Sequence, residues 1–228
     1  MDDGFKRPIV TIDVVLMTIK DEQLSVALMK RPNEPFAGSE ALVGGYVHVN
    51  EDRDAEDAAR RILRTKTGLE HIYLEQLRTF ASRDRDPRDW SVSIAYFALV
   101  PYEVLMEHSG MQLILRPSDN PGNLPFDHAQ IVASAQERLR GKGAYSTIAA
   151  CLLPDHFTMP ELLRIYQIVI DDKLDQSAFR RKVNALDLLE EVGKTEANSQ
   201  ARRPTTLYRL KAAPAVFLGR IKAGSARH

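Results

Sequence analysis

The sequence predicts an α/β protein: a three-layer α/β/α sandwich over residues 1–152, then a small domain over residues 153–212 with the order helix, tight turn, helix, hairpin. Three observations carry this. Short runs rich in Val, Ile and Thr fill the first half, and only two segments there have helical periodicity. At residues 152–157 (LLPDHF) a proline break changes the register. Thr158, Pro160 and Glu161 then supply a helix start: a capping hydroxyl, a proline in the first turn and a carboxylate three residues after the cap. Charge divides near the same place. Residues 157–228 carry 13 Lys/Arg against 8 Asp/Glu and residues 1–156 carry 18 against 23, although the net charge is zero.

Residues 8–19 alternate and read as the first strand, and residues 24–30 (LSVALMK) as the second, joined by a short polar connection that suggests a hairpin. Residues 31–40 hold Pro32, Pro35 and Gly38 and must form a loop. The chain is extended again over residues 41–49, around Gly44 and Gly45. Over residues 54–66, Ala55, Ala58, Ala59, Ile62 and Leu63 make one apolar stripe at helical spacing, with Arg60, Arg61, Arg64 and Lys66 covering much of the rest. Residues 73–80 and 91–100 read as strands, residues 112–115 as a short one and residues 127–139 as the second helix. After Thr158, the inner face of the next helix is Leu162, Ile165, Tyr166 and Val169. A polar turn at residues 171–175 leads to a helix expected over residues 176–192, buried through Phe179, Val183 and Leu186 and stopped by Gly193. Residues 194–205 are polar, residues 206–210 (TLYRL) return as a strand, and residues 213–228 form a small, basic tail.

At 228 residues the chain suits one large or two small domains, and 44% hydrophobic with 27% charged residues is ordinary for a globular protein. No apolar run reaches the length of a membrane span, and the N-terminus lacks the basic-then-apolar pattern of a signal peptide. A cytoplasmic protein without a membrane partner is expected. The single Cys151 has no internal disulfide partner, and its apolar surroundings (AACLLP) mark a structural thiol rather than a nucleophile. No Cys/His cluster has zinc spacing, so neither a metal nor a cofactor is expected.

Helix, tight turn, basic helix and charged-tip hairpin is the order of a winged helix-turn-helix. A recognition helix offers its first turns to the major groove. Here those turns hold Gln176 and Ser177, which can bond base edges or phosphates, and Arg180, Arg181 and Lys182, which can neutralise phosphate. Arg202 and Arg203 sit where a wing tip would meet the backbone or minor groove. An RRK cluster alone reads equally as a solvated basic face. The element order, the arginine-bearing hairpin and the charge asymmetry together favour double-stranded DNA as partner.

Residues 44–69 (GGYVHVNEDRDAEDAARRILRTKTGL) resemble a Nudix box, G-x5-E-x7-R-E-U-x-E-E-x-G-U, where U is a bulky aliphatic. Aligned from Gly68 back to Arg61, the three glutamate positions are Ile62, Thr65 and Lys66, and the stretch from Gly45 to Arg61 is two residues longer than the generic spacing. Hard divalent cations need oxygen ligands, and a lysine puts a cation where the metal would sit. The pattern therefore reads as a scaffold that binds its ligand without cleaving it. Over roughly residues 8–212 the chain resembles the Nudix-related transcriptional regulators (NrtR and its relatives). The stretches that carry this include TIDVVLMTI, ALMKRPNEPFAG, LVGGYV, SRDRDPRDWSVSIAYFAL, FDH, FRRK and RP-x-x-LYRL. Val43 departs from the proline that many members have before the Gly pair. The resemblance implies a Nudix sandwich followed by a winged helix-turn-helix. It further implies a homodimer on operator DNA that senses an NAD-related nucleotide, ADP-ribose or NAD, and represses NAD-metabolism genes.

Within that resemblance Gly44 and Gly45 would let backbone N–H groups approach a diphosphate, or simply form a turn. Arg31 and Arg88 suit phosphate or ribose. Trp90 or Phe36 could stack on adenine, and Trp90 could as well pack in the core. Asp127 and His128 open a helix, which leaves Asp127 as a cap or a ligand contact. Glu51, Asp52, Asp54, Glu56 and Asp57 could form a displaced metal site, the basis of an alternative reading as a Nudix pyrophosphohydrolase. They read better as a solvated helix start favoured by the helix dipole. A third reading is an inactive Nudix adaptor whose C-terminal domain binds protein.

Overall fold

The computed structural model describes residues 7–108, 113–195 and 204–211, and within them the strands of the first half form one seven-stranded mixed sheet. The strands are β1 (Ile9–Lys20), β2 (Gln23–Lys30), β3 (Glu40–Ala41), β4 (Val43–Tyr46), β5 (Tyr73–Ser82), β6 (Ser91–Leu99) and β7 (Leu113–Pro117). The order is β3-β2-β1-β6-β5, with β4 also on β1 and β7 also on β2. The connection from β1 to β2 is two residues long because Asp21 and Glu22 both adopt positive φ, 49° and 63°, as a tight hairpin turn requires. β1 runs parallel to β6, Ile9 opposite Ser91 through Met17 opposite Leu99, and antiparallel to β4, Asp13 opposite Gly44. Consecutive residues of β1 from Ile12 to Thr18 are buried. Side chains of a strand alternate between faces, so both faces of β1 are covered, as a sandwich demands.

Helix α1 (Ala55–Thr67) follows from its sequence. The Asp54 carboxylate accepts the Asp57 N–H at 2.8 Å, Gly68 closes the helix in the left-handed region, and Ala58, Ala59, Ile62 and Leu63 are buried. A short α2 (Tyr102–Glu107) was not legible from periodicity. α3 (His128–Gly143) begins beside the expected Asp127 but runs one turn past Leu139, burying Ile131, Val132, Ala135 and Leu139.

The second half forms a 3₁₀ turn (Ile148–Leu152), then β8 (Phe157–Thr158), α4 (Met159–Ile170), α5 (Gln176–Ala185), β9 (Leu189–Lys194) and β10 (Thr206–Leu210). The α4 capping box forms as the sequence suggests: Thr158 accepts from the Glu161 N–H, and the Glu161 carboxylate accepts the Thr158 N–H at 2.7 Å. Leu162, Ile165, Tyr166 and Val169 are buried. α5 corrects the expectation of a helix to Val192. It ends at Ala185, Asp187 turns with φ 52°, and residues 189–194 pair with β10 in a three-stranded sheet ordered β8-β10-β9. Ladder bonds to β10 outweigh the helical bias of LDLLEEV. Leu186 is only half-buried, and Gly193 lies within β9 opposite Leu207 rather than ending a helix.

The described chain separates into two compact units. One gathers the chain up to Thr18 with Leu24–Val100 and Leu105–Gln136; the other holds Ile19–Gln23, Pro101–Val104 and the chain from Glu137 on. Among the described residues no helix is long and apolar enough to cross a membrane.

Candidate ligand site and nucleic-acid interface

In the first unit the site is built on β4, where it lies between β1 and α1. Gly44 faces Asp13, and a Cβ at Gly44 would stand 2.3 Å from Asp13 Oδ1 and 2.8 Å from the Ile12 carbonyl oxygen. Glycine is thus required there by the carboxylate beneath it. At Gly45 a Cβ would meet the end of the Ile62 side chain at 3.3 Å. Asp13, 7% exposed, accepts from Ser93 Oγ at 2.6 Å and lies 3.6 Å from both Arg85 Nη2 and His128 Nε2. Arg85, equally buried, donates to both oxygens of Asp127 at 3.0 and 2.9 Å and to Ser91 Oγ at 2.9 Å. Asp127 thus stands at the start of α3 with its carboxylate held by Arg85.

His128 is 3% exposed. The Leu42 N–H donates to its Nδ1 at 3.2 Å, and burial pulls its pKa down, against the opposing pull of Asp13 and Asp127. The ring is therefore neutral, with the proton assigned to Nε2 on the side of Asp13. Phe126 stands beside it, ring centroids 5.2 Å apart, and forms a T-shaped pair with Phe36 at 5.0 Å. Arg31 lies over the Phe126 ring, 4.7 Å from its centroid, while its Nε donates to the Pro35 carbonyl at 2.9 Å. The structure thus gathers Arg31, Phe36 and His128 around an aromatic residue that sequence reasoning missed, although Phe126 sits in the quoted FDH stretch.

Three residues, Ile62, Thr65 and Lys66, align with the glutamates of the Nudix pattern. Ile62 is buried. Thr65 Oγ1 donates back to the Arg61 carbonyl at 2.8 Å. The half-buried Lys66 ammonium donates to the Gly44 carbonyl; burial lowers its pKa, Arg31 lowers it further and Asp13 opposes. Arg61 donates to both oxygens of Asp52 at 2.6 and 2.8 Å and to the Tyr46 carbonyl at 2.9 Å, and its hydrogen bonds push Asp52 down to about 2. The other acids of that run serve locally: Asp54 caps α1, Asp57 pairs with Arg53, Glu56 with Arg60 and Glu51 with His48. Among the described residues no three His, Cys, Asp or Glu side chains converge as metal ligands would.

Arg88 and Trp90 stand in a second group. Arg88 donates to Asp86 at 2.9 and 2.6 Å and to the Tyr46 hydroxyl, two residues along β4 from Gly44. Trp90 is 44% exposed, which removes the core-packing alternative. Asp13 and Arg85 were also missed. A carboxylate inside the apolar run TIDVVLM was a legible signal for the first; nothing distinguished Arg85 from its neighbours in SRDRDPRDW.

In the second unit, Asp175 caps α5 by accepting the Ala178 N–H at 2.7 Å, and Phe179 and Val183 face inward. Phe179 meets Tyr166 edge-on at 5.2 Å, and the Tyr166 hydroxyl donates to the Ser146 carbonyl at 2.8 Å. Gln176, Ser177, Arg180 and Arg181 are exposed. At 100° per residue Ser177 and Arg181 point nearly opposite Phe179 and Val183. Lys182 differs: it is half-buried beside an apolar pocket that includes Phe179, Val183, Leu186, Leu189 and Leu210, and burial lowers its pKa. Arg202 and Arg203 lie outside the described residues, as does the expected tail. Burial pushes the Cys151 thiol up to about 12, which keeps it protonated and a poor nucleophile.

Two family models match the chain: the NUDIX domain over residues 8–133 and the NrtR DNA-binding winged helix domain over residues 149–210. The chain is 33% identical over 209 residues to the ADPR responsive transcriptional repressor NtrR of Acinetobacter baylyi, covering 90% of this chain and 83% of that one. Among solved structures it is similar to Shewanella oneidensis NrtR in complex with a 27mer DNA, with a TM-score of 0.84 and 35% identity, covering 93% of this chain and 99% of that one. It is also similar to the NUDIX domain of that protein in complex with ADP ribose, with a TM-score of 0.53 and 34% identity over 61% of this chain and 93% of that one.

Proposed function

The chain belongs to the family of Nudix-domain regulators that carry an NrtR winged helix, and on that premise we propose that it is a DNA-binding transcriptional repressor that responds to a nucleotide of the ADP-ribose type. The observation that carries the reading is the joining of two structures in one chain. One is a Nudix fold whose glutamate positions hold Ile62, Thr65 and Lys66; the other is a capped helix with Ser177, Arg180 and Arg181 outward. The regulated genes are those of NAD biosynthesis, the effector is ADP-ribose or NAD itself, and the active form is a homodimer acting in the cytoplasm. Two-fold operators and paired recognition helices support the dimer. Gln176, Ser177, Arg180 and Arg181 contact DNA. Arg31, Phe36, Gly44, Gly45, Arg88 and Trp90 serve the nucleotide, with Asp127 and His128 positioning its walls from beneath.

The chain does not hydrolyse its ligand. Supporting this, each acid of the run after Gly45 is engaged with a neighbouring arginine, histidine or backbone N–H, and an ammonium stands at one glutamate position. Repression responds to nucleotide only to the extent that the nucleotide binds the DNA-competent and DNA-incompetent states with different affinity. The test is fluorescence anisotropy with DNA from upstream of the host's NAD-synthesis genes, titrated with ADP-ribose, NAD and nicotinamide mononucleotide. Sequence-specific, salt-sensitive binding that one of them weakens is expected. Binding that ignores all three would overturn the proposed effector class, and salt-independent or absent DNA binding would favour a protein-binding adaptor.

A further inference from the structure

The Nudix box of an active enzyme implies a divalent cation, and the residues of this chain do not fit one. Magnesium needs about six oxygen ligands in near-octahedral array. Ile62 offers no donor, Thr65 turns its hydroxyl into its own helix, and Lys66 is a cation. The Asp13 carboxylate, which stands against Gly44, is already shared by Ser93, Arg85 and His128. A metal ion arriving here would meet repulsion from both Lys66 and Arg31.

The two cations flank one connected group: Lys66 donates to the Gly44 carbonyl, Gly44 stands against Asp13, His128 lies 3.6 Å from Asp13 and packs on Phe126, and Arg31 lies over the Phe126 ring. Arg31 and burial both lower the pKa of the half-buried Lys66. Such a pair is unfavourable in the free protein and is relieved by an anion between or above its members. We propose that the Lys66 ammonium, together with Arg31, holds the diphosphate of a nucleoside-diphosphate ligand in place of the divalent cation, so that nucleotide binding requires no metal. This rests on the nucleotide-sensing reading above and adds the chemistry of the contact. An ammonium has three donors. The Gly44 carbonyl takes one and thereby fixes the direction of the others. Arg31 is held against Phe126 and the Pro35 carbonyl, so its guanidinium is preorganised. Phe126 and Phe36, packed in a T-shape at 5.0 Å, stand beside Arg31 as the apolar surface an adenine ring would use.

The test is calorimetric binding of ADP-ribose and of adenosine to the full chain, with EDTA and again with magnesium, for the parent protein, Lys66→Met and Lys66→Arg. ADP-ribose binds equally with and without magnesium. Lys66→Met weakens it by about 10- to 100-fold, the scale of one charged hydrogen bond. Adenosine, which has no phosphate, binds the parent and Lys66→Met alike, which separates a lost phosphate contact from a damaged fold. Lys66→Arg recovers part of the loss. A requirement for magnesium, or an unchanged ADP-ribose affinity in Lys66→Met, overturns the assignment of Lys66 and leaves nucleotide sensing standing. No ADP-ribose binding under either condition removes both.

Discussion

Replacing Gly44 by alanine tests the architecture of the ligand site with one methyl group. The new Cβ would lie 2.3 Å from Asp13 Oδ1 and 2.8 Å from the Ile12 carbonyl oxygen. The carbonyl belongs to the β1–β4 ladder and cannot swing aside, so the strands must part, and overpacking of that kind costs about 1–3 kcal/mol. The Asp13 carboxylate must also turn away from Ser93 Oγ at 2.6 Å and from Arg85 and His128 at 3.6 Å. Losing one charged hydrogen bond there adds about 1.5–3 kcal/mol. The sum is about 2.5–6 kcal/mol, which for a chain of this size lowers the melting temperature by roughly 5–20 °C. Gly45→Ala is the control: its Cβ meets only the tip of Ile62 at 3.3 Å, which can rotate, and costs under about 1 kcal/mol. Urea unfolding followed by the fluorescence of Trp90, the single tryptophan, reports on the unit concerned. A Gly44→Ala protein within about 1 kcal/mol of the parent, or a Gly45→Ala protein that suffers more, would refute the reasoning.

Two further outcomes follow from the same structure. The folded state keeps His128 neutral with a lowered pKa, whereas the unfolded chain takes a proton near the ordinary histidine value of 6.5, so the unfolded state binds more protons and stability falls as pH drops below about 6.5. Urea midpoints between pH 8 and pH 5 should therefore decline less steeply in His128→Asn than in the parent, and equal slopes would show that His128 already protonates in the fold. On α5, Arg181→Ala should weaken operator binding and reduce the slope of log K against log salt by about 0.9, the value for one phosphate contact. Lys182→Ala, altered at a half-buried position, should change that slope less; an equal loss would place both side chains on the DNA.

Much of the fold was written in local signals. The capping box of Thr158 and Glu161 formed where the sequence placed it, and the Asp54 cap and Gly68 stop of α1 likewise involve groups within four residues of one another. The end of α5 was not local. Nothing in LDLLEEV announces a strand until β10 supplies its ladder, so the helical pattern misled by seven residues. The candidate site shows the same division. Arg31, Phe36, Gly44 and His128 belong to motifs that resemblance could point to. Arg85 acquires its meaning from Asp127, which lies 42 residues away, and from Asp13, which lies 72 residues away in the other direction. A residue whose role is to hold another in place has no pattern of its own along the chain.

The parallel pairing of β1 with β6 also governs how the molecule is made. Ile9 must wait for Ser91, and Met17 for Leu99, so the central ladder of the larger unit cannot close until β6 has left the ribosome. Until then the run from Ile12 to Met17, which ends buried on both faces, has no permanent partner on its β6 side. In the second unit the pairings after Phe157 span less chain: β10 pairs with β9 and β8, and α4 and α5 are joined by a five-residue turn. During synthesis β1 is therefore made well before β6, the strand it pairs with from Ile9 to Met17. The variants to watch for aggregation in cells are those that weaken β1 or its partners on β6.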